Sequence, residues 1–171
     1  MMHVMKLLAI SLLLLATRAR AFKALATMYR GTLGAAGTRL EQYPARVKLG
    51  SKSVMVYPVA VYTDRVNTLK YKVIRLENKD TGKTIYGHVT DECADGDCHK
   101  NKSLARRQGK VLIDVHQTAW KKLGINSFGI HVLNARVASG KRFSYKNSPG
   151  IRKLTTRAAR RGWVPNKWKV R

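Results

Sequence analysis

The stretch VIRLENKDTGKTIYGHVTDEC, residues 73 to 93, holds two runs rich in β-branched and aromatic residues on either side of NKDTGK. Asp80 and Gly82 stand where a tight connection needs them, and the flanking runs suit a pleated surface. The stretch reads as a hairpin, from Tyr71 to Thr90. A hairpin supplies only two strands, so the fold depends on what lies beside it. Upstream, KSVMVYPVAVY (52–62) alternates and is rich in Val and Tyr. Downstream, KVLIDV (110–115) reads as a short buried strand, and FGIHVLNARV (128–137) as another, with Ile130, Val132 and Leu133 as inward candidates. One segment looks helical: QTAWKKLG (117–124) sets Ala119, Trp120 and Leu123 on one face and stops at Gly124. Short strands at regular spacing, joined by glycine-bearing turns, predict an all-β fold closed into a barrel rather than a parallel α/β sheet.

The ends of the chain differ from this middle. Residues 1–21 run from Lys6 through an apolar stretch, Leu7 to Ala16, to the small residues Ala19 and Ala21. This is the pattern of a secretory signal, too short to span a bilayer stably, so a secreted, extracellular protein beginning near Phe22 is expected. One domain over 22–140 would follow, and then a basic segment, 141–171. From Ala138 onward the chain has eleven Lys or Arg and no acid. Arg160, Arg161, Lys167 and Trp168 are the candidate polyanion contacts there, with Trp168 read as an exposed aromatic among cations.

The whole chain carries a formal charge of +25. If Lys6, Arg18 and Arg20 leave with the signal, 31 basic residues remain against 9 acidic ones. So strong a field calls for a polyanionic partner. An acidic polysaccharide and anionic surfaces fit an extracellular protein, and no motif points to a specific nucleic acid. Nothing in the chain suggests a cofactor, and a monomer is expected.

Cys93 and Cys98, in DECADGDC, are the only cysteines. In an oxidising exterior they are expected to pair, since Gly96 lets the short loop turn. A zinc site would need two soft or imidazole ligands besides the cysteines, and only His99 is adjacent. Asp91, Glu92, Asp95 and Asp97 surround the pair, but they lack the ligand pattern of a calcium loop and read as mostly solvated. No metal is therefore expected. Asp114 is the last acidic residue of the chain. Between Val111, Leu112, Ile113 and Val115 it can be desolvated and held protonated; equally, it can cap the helix that follows.

Taken in order, ALATMYRGTLG, YPVAVYT, VIRLENKDTGKTIYGHVTDEC, VLIDVHQTAWKKLG and FGIHVLNARV resemble the double-psi β-barrel family of expansin-like, barwin-like and rare-lipoprotein-A-like proteins. The resemblance covers about residues 24 to 137. It implies a six-stranded double-psi β-barrel with one or two short helices and a shallow polysaccharide groove. Carried over, it makes Thr27, Tyr29, Asp91 and Asp114 the ligand-binding residues, with Asp114 the catalytic acid if there is catalysis. An inverting glycosidase also needs a base across the cleaved bond. In related hydrolases that base lies in the N-terminal block, yet ATMYRGTLGAAGTRL has no carboxylate and Glu41 comes late. The expectation is a non-hydrolytic, expansin-like binder of cell-wall polysaccharide. The alternatives are a lytic transglycosylase-like enzyme using Asp114, or a barwin-like or protease-inhibitor-like effector.

Overall fold

A computed structural model of the chain describes residues 21–31, 34–35, 40–144, 148, 151 and 168. Residues 1–20 of the expected signal segment 1–21, and Arg160, Arg161 and Lys167, lie outside them. The strands are β1 (Ala21–Tyr29), β2 (Ala45–Leu49), β3 (Lys52–Tyr62), β4 (Val73–Glu77), β5 (Thr84–Cys93), β6 (Val111–His116) and β7 (His131–Val137). Pairing runs β2-β3-β5-β4-β7-β1-β6, and β6 returns to β3. Six strands thus close a ring, and β2 hangs from β3 as a hairpin arm. The ring has internal symmetry. β1 lies parallel to β6 as β5 lies parallel to β3, and β1 is antiparallel to β7 as β5 is to β4. Two three-strand units, β1-β3-β4 and β5-β6-β7, interlock, which is the expected double-psi barrel.

Alternation along the strands sorts side chains between the barrel interior and its outer face. Ala24, Ala26, Val59, Val61, Val89, Ile113, Val115 and Leu133 fill the interior. Gly87 has no side chain because a Cβ there would lie 2.8 Å from Val59 Cγ1. Pro58 sits in a central strand without breaking it. β2 pairs with β3 as far as Val56 and β6 takes over at Val59, so Pro58 falls in the gap between ladders. In β7 Leu133 and Ala135 face inward, whereas Val132 is exposed and so is Ile130 just before the strand. Residues 130 and 132 share a parity opposite to 133, so they could not join it inside.

Among the described residues there are three α-helices, where one or two were expected: α1 (Val66–Leu69), α2 (Gly96–Arg107) and α3 (Gln117–Trp120), the last continuing as a 3-10 turn to Leu123. Gly124 ends that turn at φ 72°, as expected from its place after Leu123. The twelve-residue α2 has no apolar stripe to reveal it; only Cys98 and Ala105 are buried. Its ends hold it instead. Asp95 Oδ1 accepts the Cys98 N–H at 2.8 Å, Asp97 sits in the first turn, and Arg106 and Arg107 sit in the last. The Cys93–Cys98 disulfide, with Cα atoms 5.6 Å apart, ties its first turn to β5.

Described residues after Ala138 contribute to the core. Phe143 and Ile151 pack with Tyr43, Val47, Val56 and Val73 at one end of the barrel. Buried His88 reads that segment's backbone: its Nε2 donates to the Phe143 carbonyl at 2.6 Å, and its Nδ1 accepts from Tyr43 Oη at 2.7 Å. Trp168 is completely buried in the main core. Tyr71 meets it edge-on at 5.7 Å and donates to its carbonyl, while its indole N–H reaches Glu92 Oε2 at 3.3 Å. Trp168 is therefore a core residue and not a polyanion contact. An indole with its N–H satisfied by a carboxylate gains more by leaving water than by waiting on a basic surface.

Candidate functional site

Registers bring three of the four expected residues into one row. Ala60 of β3 is flanked by Asp91 of β5 and Asp114 of β6, and Asp114 is paired in turn with Thr27 of β1. The row Asp91–Ala60–Asp114–Thr27 crosses four strands on the outer face. Tyr29 and His116 stand side by side two residues farther along β1 and β6. Leu25, Ala60, Cys93 and Leu112 form an apolar floor at the row, and α2 packs on it through Cys98 and Ala105.

Asp91 belongs to the row through a bulge. Val89 of β5 faces the interior, so a regular strand would point Asp91, two residues on, inward as well. The register instead passes from Val59–Val89 to Ala60–Asp91, leaving Thr90 as an extra residue. That one insertion turns Asp91 and Cys93 to the outer face. Gly34 leaves room for the bulge, since a Cβ there would lie 2.8 Å from the Thr90 carbonyl oxygen.

Thr27 Oγ1 donates to Asp114 Oδ1 at 2.8 Å. Asp114 is only 8% exposed. Burial pushes its carboxyl up to about 6; the Thr27 bond pulls the other way, and the charges of Asp95 and Asp91 add to the rise. With Oδ1 occupied as an acceptor, the proton belongs on Oδ2. The neighbour of Oδ2 is Cys93 Sγ at 3.7 Å, a disulfide sulfur with no hydrogen to give. Cys93, Cys98 and Asp114 form the one close group of potential metal donors among the described residues. With both sulfurs in the disulfide, no thiolate is available to a metal there.

Helix capping is not the task of Asp114. The N-cap of α3 is His116, whose Nδ1 accepts from the Thr118 N–H at 3.4 Å and from Thr118 Oγ1 at 2.9 Å. Its Nε2 donates to the Gly31 carbonyl at 3.1 Å, and burial lowers its pKa. These bonds fix one neutral tautomer. His116 was not singled out as functional from sequence, although the two-residue step in IDVH places it on the Asp114 face.

Asp91 Oδ1 accepts from the Ala35 and Glu92 N–H groups at 2.7 and 2.8 Å. Burial nevertheless raises its carboxyl to about 6. In the acidic cluster Asp95, which caps α2, and Asp97 are exposed, whereas Asp91 and Glu92 are half-buried, Glu92 accepting from Thr63 Oγ1 at 2.6 Å and from Trp168. The Tyr29 ring meets His116 edge-on at 5.2 Å. Burial holds its phenol well above the ordinary tyrosine range, and the charges of Asp91 and Asp114 add to this. Among the described residues its buried hydroxyl has no hydrogen-bond partner.

No family model and no curated protein matches the chain. Among solved structures it is similar to the apo form of an expansin from Clavibacter michiganensis, with 15% identity and a TM-score of 0.48 over 72% of this chain and 53% of that one. It is also similar to a mutant of that expansin in complex with cellohexaose, with 13% identity and a TM-score of 0.44 over 73% of this chain and 54% of that one. The chain therefore spans about half the length of these two structures.

Proposed function

We propose that the protein is a secreted, non-hydrolytic binder of cell-wall polysaccharide, working through the outer face around Asp114. One observation carries the reading. Asp114 is held through Oδ1 alone, by Thr27, so Oδ2 remains for a ligand hydroxyl. The unpartnered hydroxyl of Tyr29 adds a second polar group in want of a partner, and buried polar groups in that state favour a ligand that satisfies them. The sequence blocks shared with expansin-like proteins point to a glycan. Asp91, with Oδ1 taken by two backbone N–H groups, would orient the sugar through its second oxygen.

Hydrolysis is disfavoured on physical grounds. An acid and a base need environments that drive their pKa values apart, whereas Asp91 and Asp114 are both raised to about 6. A lytic reaction is the second reading, and the raised carboxyl of Asp114 favours it. The Oδ2 proton would pass to the glycosidic oxygen as the C–O bond breaks. A hydroxyl of the same sugar would then close on the anomeric carbon, returning its proton to Asp114.

Pull-down on insoluble cellulose, chitin, pectin and peptidoglycan, with sugar assays of each supernatant, separates the two readings. Wild type should be retained without releasing sugar, and Asp114→Ala should lose about tenfold in affinity, the worth of one charge-assisted hydrogen bond. Sugar release that disappears in Asp114→Asn would establish the lytic reading. Unchanged retention of Asp114→Ala would remove this face from the function.

A further inference from the structure

We propose that a separate cationic pocket beside α2 binds the carboxylate of an acidic sugar. It is a concavity of about 400 Å³ lined by Tyr62, Arg65, Lys102, Arg106 and Lys110, with Asp64 as its one acid. That size lies within the range of small-molecule sites. The cations come from separate places in the chain: Arg65 from the 3-10 turn after β3, Lys102 and Arg106 from one face of α2, and Lys110 from the link to β6. Their convergence is a product of the fold and appears nowhere as a run in the sequence.

A cluster of cations on so basic a protein has a plainer explanation, namely compensation of the α2 C-terminus. The last-turn carbonyls of Leu104, Ala105 and Arg106, however, are already satisfied. Gln108 N–H serves Leu104 and Ala105, Gly109 N–H serves Arg106, and Lys110 N–H turns back to Ala105 at 2.8 Å. The charge is also mostly unpaired. Among the described residues Asp64 pairs with Lys102 at 3.2 Å, leaving Arg65, Arg106 and Lys110 without a carboxylate partner. Lys102 is further fixed over the Tyr62 ring at 4.1 Å. One cation is thus anchored while two exposed guanidinium groups remain, and a planar fork suits a carboxylate in two-point contact. Tyr62 and Leu112 each stand two residues from the Asp114 row, on β3 and β6. The pocket therefore neighbours that row, and it gives the protein's affinity for acidic glycans a defined place in the fold.

This inference rests on the glycan-binding reading and narrows it to acidic sugars. Calorimetric titration at about 100 mM salt, with an oligogalacturonate, its methyl ester and cellohexaose, tests both. Wild type should bind the free acid about tenfold more tightly than the ester. Arg65→Gln/Arg106→Gln should lose that tenfold for the acid and nothing for the ester or cellohexaose. Lys48→Gln/Lys52→Gln removes the same charge from the exposed β2–β3 hairpin and should behave as wild type. An equal loss in both double variants, or no preference for acid over ester, overturns the pocket alone. No binding of any glycan by wild type overturns the glycan reading with it.

Discussion

Asp114 is held between opposing influences: the strand around it removes water, and Thr27 offers one hydroxyl in return. Its folded pKa, about 6 against an ordinary 3.8, means that the folded state binds the extra proton between those values. Its stabilising contribution is therefore fully present below about pH 4 and is lost as pH rises through 6. The charged form then costs on the order of 2–3 kcal/mol at neutral pH. Asp114→Asn keeps an oxygen for Thr27 and should gain about that much stability at pH 7, read as a higher urea midpoint. His88 acts in the opposite sense, because burial lowers it to about 4 and folding then opposes its protonation. Asp91, likewise raised to about 6, works with Asp114 against His88, so the variant should gain less or lose more stability than wild type on acidification from about pH 6.5 to 4. A midpoint at pH 7 no higher than wild type would refute the burial account. The presence of a carboxyl at this position was legible in the sequence, and so were its two possible tasks. The choice between them was not, because the competing cap is His116, two residues on and unremarkable in composition.

At the level of elements, legibility followed periodicity. The hairpin β4–β5 and the strands β3, β6 and β7 declare themselves by alternation and by their turns. The bulge at Thr90 leaves no trace in hydropathy, yet it decides which way Asp91 points. The helix α2 was missed for a related reason: it is polar on nearly every side and is held by a cap, terminal charges and a disulfide. Replacing Cys93 and Cys98 with serine should therefore loosen α2 before it threatens the barrel. Closing so short a loop is worth about 2 kcal/mol. The expected result is a modest fall in melting temperature with early tryptic cleavage at Lys100, Lys102 or Arg106, while the strands keep their hydrogen-exchange protection. Loss of strand protection at the same rate would mean that α2 and the barrel open as one unit.

For the whole molecule, the net charge of +25 was plain from composition, and its division of labour was not. The basic C-terminal segment read as a tail because its hydrophobes are sparse, and two of them, Ile151 and Trp168, complete cores built by distant strands. A residue that finishes another segment's core has no local pattern to announce it. What remains general is the field itself. Retention on pectin should fall sharply between about 100 and about 500 mM salt, as screening shortens to a few ångströms. Binding of neutral cellohexaose should stay nearly constant. Retention on pectin that ignores salt would rule out charge as the source of affinity. The ring of strands has one more consequence, for the order of events as the chain is made. β1 is the first of the described strands to emerge, and its partners in the ring are β6 and β7, roughly a hundred residues behind it. No early fragment can close the barrel, so the growing chain stays open until nearly all of it has been synthesised. Such a protein can be threaded through a narrow channel as it is made, with no folded intermediate to pull apart.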